Sequence, residues 1–246
     1  MNTTTRPELF IEDDILPHLI QYCRARQFDQ FMLVAEAHTH AALGQRVEQA
    51  LRANSFDVRT VVFRHHAEVV ADEAHLIEVL AQADAQARTY LAVGSGTITD
   101  IVRFVSHRTR NSFISIPTAP SVDGFVSIGA PLVIGGLKET IVCAPPIAAF
   151  ADLGTLAAAP RPMIAAGFGD MLGKFTSLAD WKIGHLLWDE RYDEQVAQHT
   201  WRALQACISA IQANGRIRAH HAGLRSAHQT RGRHRLIQDE FTLNGS

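Results

Sequence analysis

The stretch MIAAGFGDMLGKFTSLADWK, residues 163–182, sets a single carboxylate on a part of a helix almost cleared of bulk. Wound with helical period, Ile164, Phe168, Met171, Leu172, Phe175, Ala179 and Ile183 fall on one stripe, which is predicted to face a core. Asp170 falls on another face, among Ala166, Gly173, Lys174, Ser177 and Trp181. That face is small and polar rather than a row of solvated charges. Lys174 lies one turn beyond Asp170, where an i,i+4 helix pair and neutralisation of an anionic ligand are both open readings.

A second group is VGSGTITD, residues 93–100. Gly94 and Gly96 permit a close approach that a Cβ would forbid, and a helix opening at Thr97 offers free N–H groups to an anion such as a pyrophosphate. Asp100 falls in the first turn, where it caps the helix or holds the turn. A tight strand-to-helix turn needs the same glycines, so both readings stand. The pattern departs from the G-x-G-x-x-G dinucleotide fingerprint: it lacks the third glycine and follows the third strand, not the first. Glu36, the last residue of the apolar run FMLVAE (31–36), is placed to hydrogen-bond an adenosine ribose. A carboxylate there repels a 2′-phosphate and leans the choice toward NAD over NADP, whereas a solvated strand-end Glu is its bland alternative.

The elements that must position these residues alternate. Strands are predicted at 31–36, 58–63, 89–96 and 112–120, with helices at 41–54, 72–87 and 97–109 between them. Such alternation implies parallel βαβ units whose ligands sit beyond the carboxyl ends of the strands. Residues 131–153 differ, with apolar runs around Gly135-Gly136 suggesting a hairpin. After AAAPRP (157–162) the alternation stops and the chain reads as helix. This divides the sequence into an α/β unit over 1–158, the start of a helical unit over 159–214, and a basic, His-rich segment over 215–246 with no sustained stripe. The abrupt change near Gly215 suggests a chain cut short or translated out of its native frame.

Bulk composition narrows the class. The chain has 246 residues, 47% hydrophobic and 20% charged, an ordinary soluble globular balance. A formal net charge of −2 gives no reason to expect nucleic acid as partner. The N-terminus MNTTTRPELFIEDD lacks the apolar core of a signal peptide, and no run of about 18 apolar residues would span a bilayer. Cys23, Cys143 and Cys207 are scattered and odd in number, which argues against a disulfide framework and fits the cytoplasm.

GSGTITDIVRF, ISIPTAPSVDGFVS and PMIAAGFGDMLGKFTSLADWKIG, in this order and spacing, resemble the sn-glycerol-1-phosphate dehydrogenases, including the bacterial AraM-type enzymes. These belong to the superfamily of dehydroquinate synthase and the iron-containing alcohol dehydrogenases. The resemblance runs from about Phe31 to about Ala213. It implies an N-terminal Rossmann-like parallel-sheet domain followed by an all-helical domain, here incomplete, with the active site in the cleft between them. It implies that Gly94, Ser95, Gly96, Thr97 and Ile98 line the dinucleotide pyrophosphate and that Thr118, Ala119, Pro120 and Ser121, with Ser127, form a second cofactor loop. Asp123 matches a substrate-contacting position. Asp170 matches the aspartate that ligates a catalytic divalent metal, which is zinc, nickel or iron in different members. The implied reaction is NAD(P)H-dependent reduction of dihydroxyacetone phosphate to sn-glycerol 1-phosphate, with a small phosphorylated substrate and a homodimeric enzyme when the helical domain is complete.

The sequence departs from this family in one respect. The two histidines that complete the metal site, the first in a G-x-E-H-like context, have no match after Asp170. His185, His199, His220, His221, His228 and His234 all stand in other surroundings. A catalytic zinc needs three protein ligands, so Asp170 alone cannot hold one. Two alternatives follow: a dehydroquinate-synthase-like lyase that uses NAD transiently, and a catalytically silent dinucleotide-binding product. An incomplete helical unit would also leave Ile164, Phe168, Leu172 and Phe175 partly uncovered.

Overall fold

The computed structural model describes residues 7–64, 68–84 and 86–214. The segment 215–246, with four of the candidate histidines, lies outside the described residues. In chain order the elements are β1 (Glu8–Glu12), α1 (Leu16–Ala25), β2 (Gln30–Glu36) and α2 (Ala37–Thr39), then a π-helical turn (His40–Gly44) and α3 (Gln45–Ala53). There follow β3 (Asp57–Phe63), α4 (Glu73–Leu80), β4 (Thr89–Gly94), α5 (Gly96–Arg108), β5 (Phe113–Pro117) and a 3₁₀ turn (Gly124–Val126). The chain continues through β6 (Gly129–Ile134), β7 (Leu137–Val142), β8 (Ala148–Asp152), α6 (Leu153–Ala157), α7 (Arg161–Leu172), α8 (Lys174–Trp188) and α9 (Glu194–Asn214).

Six strands form one parallel sheet in the order β1-β8-β5-β4-β2-β3. Strands covered on both faces read as unbroken apolar runs, and Phe31 to Ala35 of β2 and Tyr90 to Val93 of β4 are all buried. Their side chains alternate between two cores. Leu33 and Leu91 join Ile15, Leu19, Val47 and Leu51 on the face covered by α1 and α3. Met32 and Ala92 join Leu76, Val79, Ile101 and Val105 beneath α4 and α5. This is the Rossmann-like doubly covered sheet that the alternation implied.

The Gly135-Gly136 hairpin is present. Both glycines have positive φ, +59° and +79°, as a two-residue turn matched to strand twist requires. Glu73, at the start of α4, accepts a hydrogen bond from the Gly135 N–H and ties the turn to the sheet domain. The hairpin ends at Val142, however, and the rest of the 131–153 stretch is a further parallel strand. β8 returns to the main sheet between β5 and β1, entirely buried. Its small side chains, Ala148, Ala149 and Ala151, carry little strand signal in sequence and fit the space between two neighbours.

Two helices differ from their predicted extents. The helix expected over 72–87 stops at Leu80. Asp84 is drawn instead into an arginine pair, 3.0 Å from Arg59 and 3.2 Å from Arg88, and the chain leaves the helical path to make those contacts. The single helix expected over 163–182 is divided at Gly173 into α7 and α8. Nor does its apolar stripe face a core: Ile164, Phe168 and Met171 are only half-buried, while Leu172, Phe175 and Ile183 are exposed. The cover it does receive comes from α9, through an edge-on contact of Phe175 with Trp201 at 5.1 Å. Leu186, Leu187 and Trp188, at the end of α8, are about two-thirds exposed or more, at 70%, 66% and 70%.

The join between β1 and β8 rests on aromatic packing. Phe10 stacks on Phe150 at 4.4 Å, and Tyr22 of α1 meets both rings edge-on at 5.6 Å. Phe150→Ala should therefore cost about 3–5 kcal/mol, measured as a fall in the urea midpoint with an unchanged slope. A change below about 1 kcal/mol would mean that β1 contributes little to the sheet.

Candidate active site

β4 delivers the glycine turn to the carboxyl edge of the sheet, and α5 begins one residue later. Close packing makes the two glycines necessary. A Cβ on Gly94 would lie 2.5 Å from the Ile98 side chain, and one on Gly96 would lie 3.1 Å from Val122. The first N–H groups of a helix have no intrahelical partner, and the N-cap residue Ser95 makes no side-chain capping bond. That leaves the start of α5 open to an anion. Ile98 is buried, its side chain packed against Gly94 in the turn. The Thr118 N–H donates to Gly94 O at 3.1 Å, which brings the start of the Thr118–Ser121 stretch against the glycine turn. Thr118, Ala119 and Pro120 are buried, while Ser121 is half-buried.

Glu36 ends β2, the neighbour of β4 in the sheet. Its carboxylate is already engaged: Oε1 accepts from the Thr39 N–H at 3.0 Å, and Oε2 lies 3.1 Å from His38 Nδ1. Thr39 completes a capping box, and its hydroxyl donates to Val93 O at 2.9 Å. Thr39 thus ties the end of β2 to the residue before Gly94, a role absent from the sequence reading. The signal for it was a Thr three residues after the strand-end carboxylate.

On the other side of the turn, Val122 abuts Gly96 and leads to Asp123. The Asp123 N–H donates to Asp170 Oδ2 at 2.8 Å, and its carboxylate pairs with Lys174 Nζ at 2.7 Å. Lys174 thus reaches Asp123, a partner that the i,i+4 spacing did not suggest. The surrounding protein pushes the Asp123 carboxyl above the ordinary aspartate value, against the opposing pull of the Lys174 ammonium. Two carboxylates and one ammonium from α7, α8 and the loop after β5 thus meet beside the glycine turn.

Asp100 and Ser127 stand apart from this group. Asp100 neither caps α5 nor faces the turn; it pairs with Arg103 Nη1 at 2.6 Å. Arg103 is fully buried and also donates to Gly129 O at 2.6 Å and to Gly124 O at 2.8 Å. Burial lowers the Arg103 pKa and raises that of Asp100, each resisted by the charge of the other. Ser127 Oγ donates to Gly129 O at 3.4 Å, close to the same guanidinium. Arg103 was missed in sequence, although an arginine in the apolar helix DIVRFV was its signal.

The metal reading meets a shortage of ligands. Among the described residues no group of three or more His, Cys, Asp and Glu side chains is placed to hold an ion. His185 Nδ1 is engaged 2.8 Å from Glu190 O. Burial and Arg202 depress the His199 pKa. The described residues thus do not by themselves fit a catalytic divalent ion, and Asp170 is at most one of its ligands.

Comparison with known proteins gives this arrangement a context. Residues 10–160 match the model of the family described as iron-containing alcohol dehydrogenase. A glycerol-1-phosphate dehydrogenase [NAD(P)+] of Geobacillus stearothermophilus is 43% identical over 206 residues, which are 83% of this chain and 51% of the relative. The one from Bacillus subtilis strain 168 is 44% identical over 203 residues, 82% and 52% of the two chains. The chain thus spans about half the length of the curated relatives it matches. Among solved structures, a probable glycerol dehydrogenase from Sinorhizobium meliloti 1021 superposes with a TM-score of 0.72 at 18% identity, covering 90% of this chain and 62% of that one. An alcohol dehydrogenase from Oenococcus oeni gives 0.72 at 13% identity, with 92% and 64% covered. At these identities the likeness is one of fold.

The Asp123–Lys174 pair is partly screened from water, with side chains 26% and 21% exposed. A double-mutant cycle of Asp123→Asn and Lys174→Met, read by urea denaturation, should show a coupling of about 1 kcal/mol. Additive single effects would remove the pair from the account of the site.

Proposed function

The chain belongs to the iron-containing alcohol dehydrogenase family, and from that premise we propose that it forms the dinucleotide-binding part and the substrate-facing wall of a glycerol-1-phosphate dehydrogenase. The reaction is the NAD(P)H-dependent reduction of dihydroxyacetone phosphate to sn-glycerol 1-phosphate. The observation that carries this reading is the meeting of the open start of α5 with Asp123, Asp170 and Lys174 at one end of the sheet. Identities of 43% and 44% to dehydrogenases of that name favour it over the lyase reading.

In this reading residues 1–158 bind the dinucleotide and residues from 159 onward close the substrate side. The N–H groups of Gly96, Thr97 and Ile98 meet the pyrophosphate, with Ser95 beside them and the Thr118–Ser121 stretch as a second wall. Asp100 and Ser127 support this region through Arg103 and its carbonyl partners. Glu36 faces the adenosine ribose with the lone pairs that Thr39 and His38 leave over. Bound there, the reduced nicotinamide supplies a hydride to the substrate ketone. Asp123 orients the substrate hydroxyl, and Lys174 offsets the negative charge of the phosphate or of the developing alkoxide. Asp170 contributes one ligand to a divalent ion. The described residues do not complete that site. The proposed enzyme is cytoplasmic, acts on a small phosphorylated molecule, and is a homo-oligomer when its helical domain is complete. Among the described residues no helix is long and apolar enough to cross a membrane.

Three measurements test the reading. Gly96→Val fills the space beside Val122 that an anion would approach, so calorimetry should show loss of NADH binding in a folded variant; unchanged affinity would exclude the turn as the cofactor site. Dihydroxyacetone phosphate should support NADH oxidation by the complete enzyme with added zinc or nickel, and unphosphorylated dihydroxyacetone should not. Equal rates with both would overturn the assignment of a phosphorylated substrate. Glu36→Ser should narrow any preference for NADH over NADPH in binding titrations; an unchanged ratio would remove Glu36 from the ribose site.

A further inference from the structure

The Arg103 guanidinium joins Asp100 of its own helix to the Gly124 and Gly129 carbonyls of the segment that follows Asp123. We infer that Arg103 is a positioning residue for the substrate side of the cleft, holding the 123–129 segment so that Asp123 meets Asp170 and Lys174 at a fixed distance from the glycine turn. This rests on the dehydrogenase reading given above.

One helix carries both functions. α5 opens at Gly96 beside the turn, and Arg103 lies seven residues further along, roughly 10 Å by helical rise. From there the fork reaches across to Gly124 O at 2.8 Å and Gly129 O at 2.6 Å, with Phe125 O at 3.4 Å. Gly124 directly follows Asp123, whose N–H holds Asp170. Between Pro117, where β5 ends, and Gly129, where β6 begins, the only regular element is the 3₁₀ turn Gly124–Val126. At its ends this stretch is tied by the Thr118 N–H to Gly94 O and by the Cys143 N–H to Ile128 O at 2.7 Å. Arg103 is the tie in the middle. Without it the Gly124 and Gly129 carbonyls would lose a charged donor, and the segment would turn outward to water. A planar fork satisfies two separated carbonyls and Asp100 at once, which the single ammonium of lysine does only in part.

The test uses the full chain with Arg103→Met and Arg103→Lys. Its readout is the acetylation rate of Lys174 by an N-hydroxysuccinimide acetate, followed by peptide mass spectrometry, with Lys182 as internal control and thermal melting as the check on folding. Arg103→Met should acetylate at Lys174 about fivefold faster than the parent, the factor expected when an ion pair of this exposure is released. Arg103→Lys should recover part of the protection, Lys182 should not change, and the parent protein should bind NADH in a fluorescence titration. Parental rates at Lys174 in a folded Arg103→Met protein would overturn the inference, as would an equal rise at Lys182. Failure of both variants to fold would also overturn it, because Arg103 would then serve stability alone. Absence of NADH binding to the parent chain would remove the dehydrogenase reading and the positioning role with it. The Lys174 rates tell that failure from the others.

Discussion

A buried guanidinium demands acceptors, and much of this structure follows from meeting that demand at both Nη atoms of Arg103, whose buried Nε has no partner. Taking Arg103 out of water costs several kcal/mol, and the cost is offset only where the carboxylate and carbonyls around it have good geometry. Asp100 supplies one acceptor from the same helix, while Gly124 and Gly129 supply others from beyond β5. The loop carrying Asp123 is thereby committed to a single path over α5. The hairpin that starts at Gly129 is committed to the same face. The substrate-side residues inherit their placement from an interaction they take no part in.

How much of this the sequence disclosed depends on the range of the interaction. Apolar runs such as FMLVA and YLAV announce fully covered strands, because burial on both faces removes polar alternation. The glycine turn is equally plain, since Gly94 and Gly96 stand where a Cβ would strike Ile98 or Val122. Asp123 and Asp170 could be named through the family resemblance, and Lys174 through its place one turn beyond Asp170. Their bonding pattern could not, because it depends on a loop 47 residues upstream of Asp170. β8 was hidden for another reason: its alanines fit a narrow slot defined by β5 and β1, which only the assembled sheet reveals.

The helical stripe shows the limit of period as a guide. Periodicity identifies which residues of α7 and α8 share a side, and not whether anything stands opposite them. In the described residues α9 covers part of that side, and the end of α8 presents Leu186, Leu187 and Trp188 outward. Glu36 carries a similar lesson at the scale of one side chain. Its position beside the glycine strand suits ribose recognition, but its carboxylate also caps a helix. In the proposed site one group would serve the fold and a ligand together.

The sheet order carries a consequence for how the chain reaches its native form. Among the described strands β1, the earliest, occupies an edge whose only neighbour is β8, the latest. Leu9 waits for Ala149 and Phe10 for Phe150, across nearly the whole α/β unit. During synthesis from the N-terminus, β2, β3, β4 and β5 can pair as they emerge, whereas β1 must remain unpaired until β8 has left the ribosome. The aromatic side chains of Phe10 and Tyr22 are without Phe150 throughout that interval. Closure of the Phe10–Phe150 stack is thus a late event of high contact order. A nascent chain halted before residue 148 would hold most of the sheet and still lack its first strand.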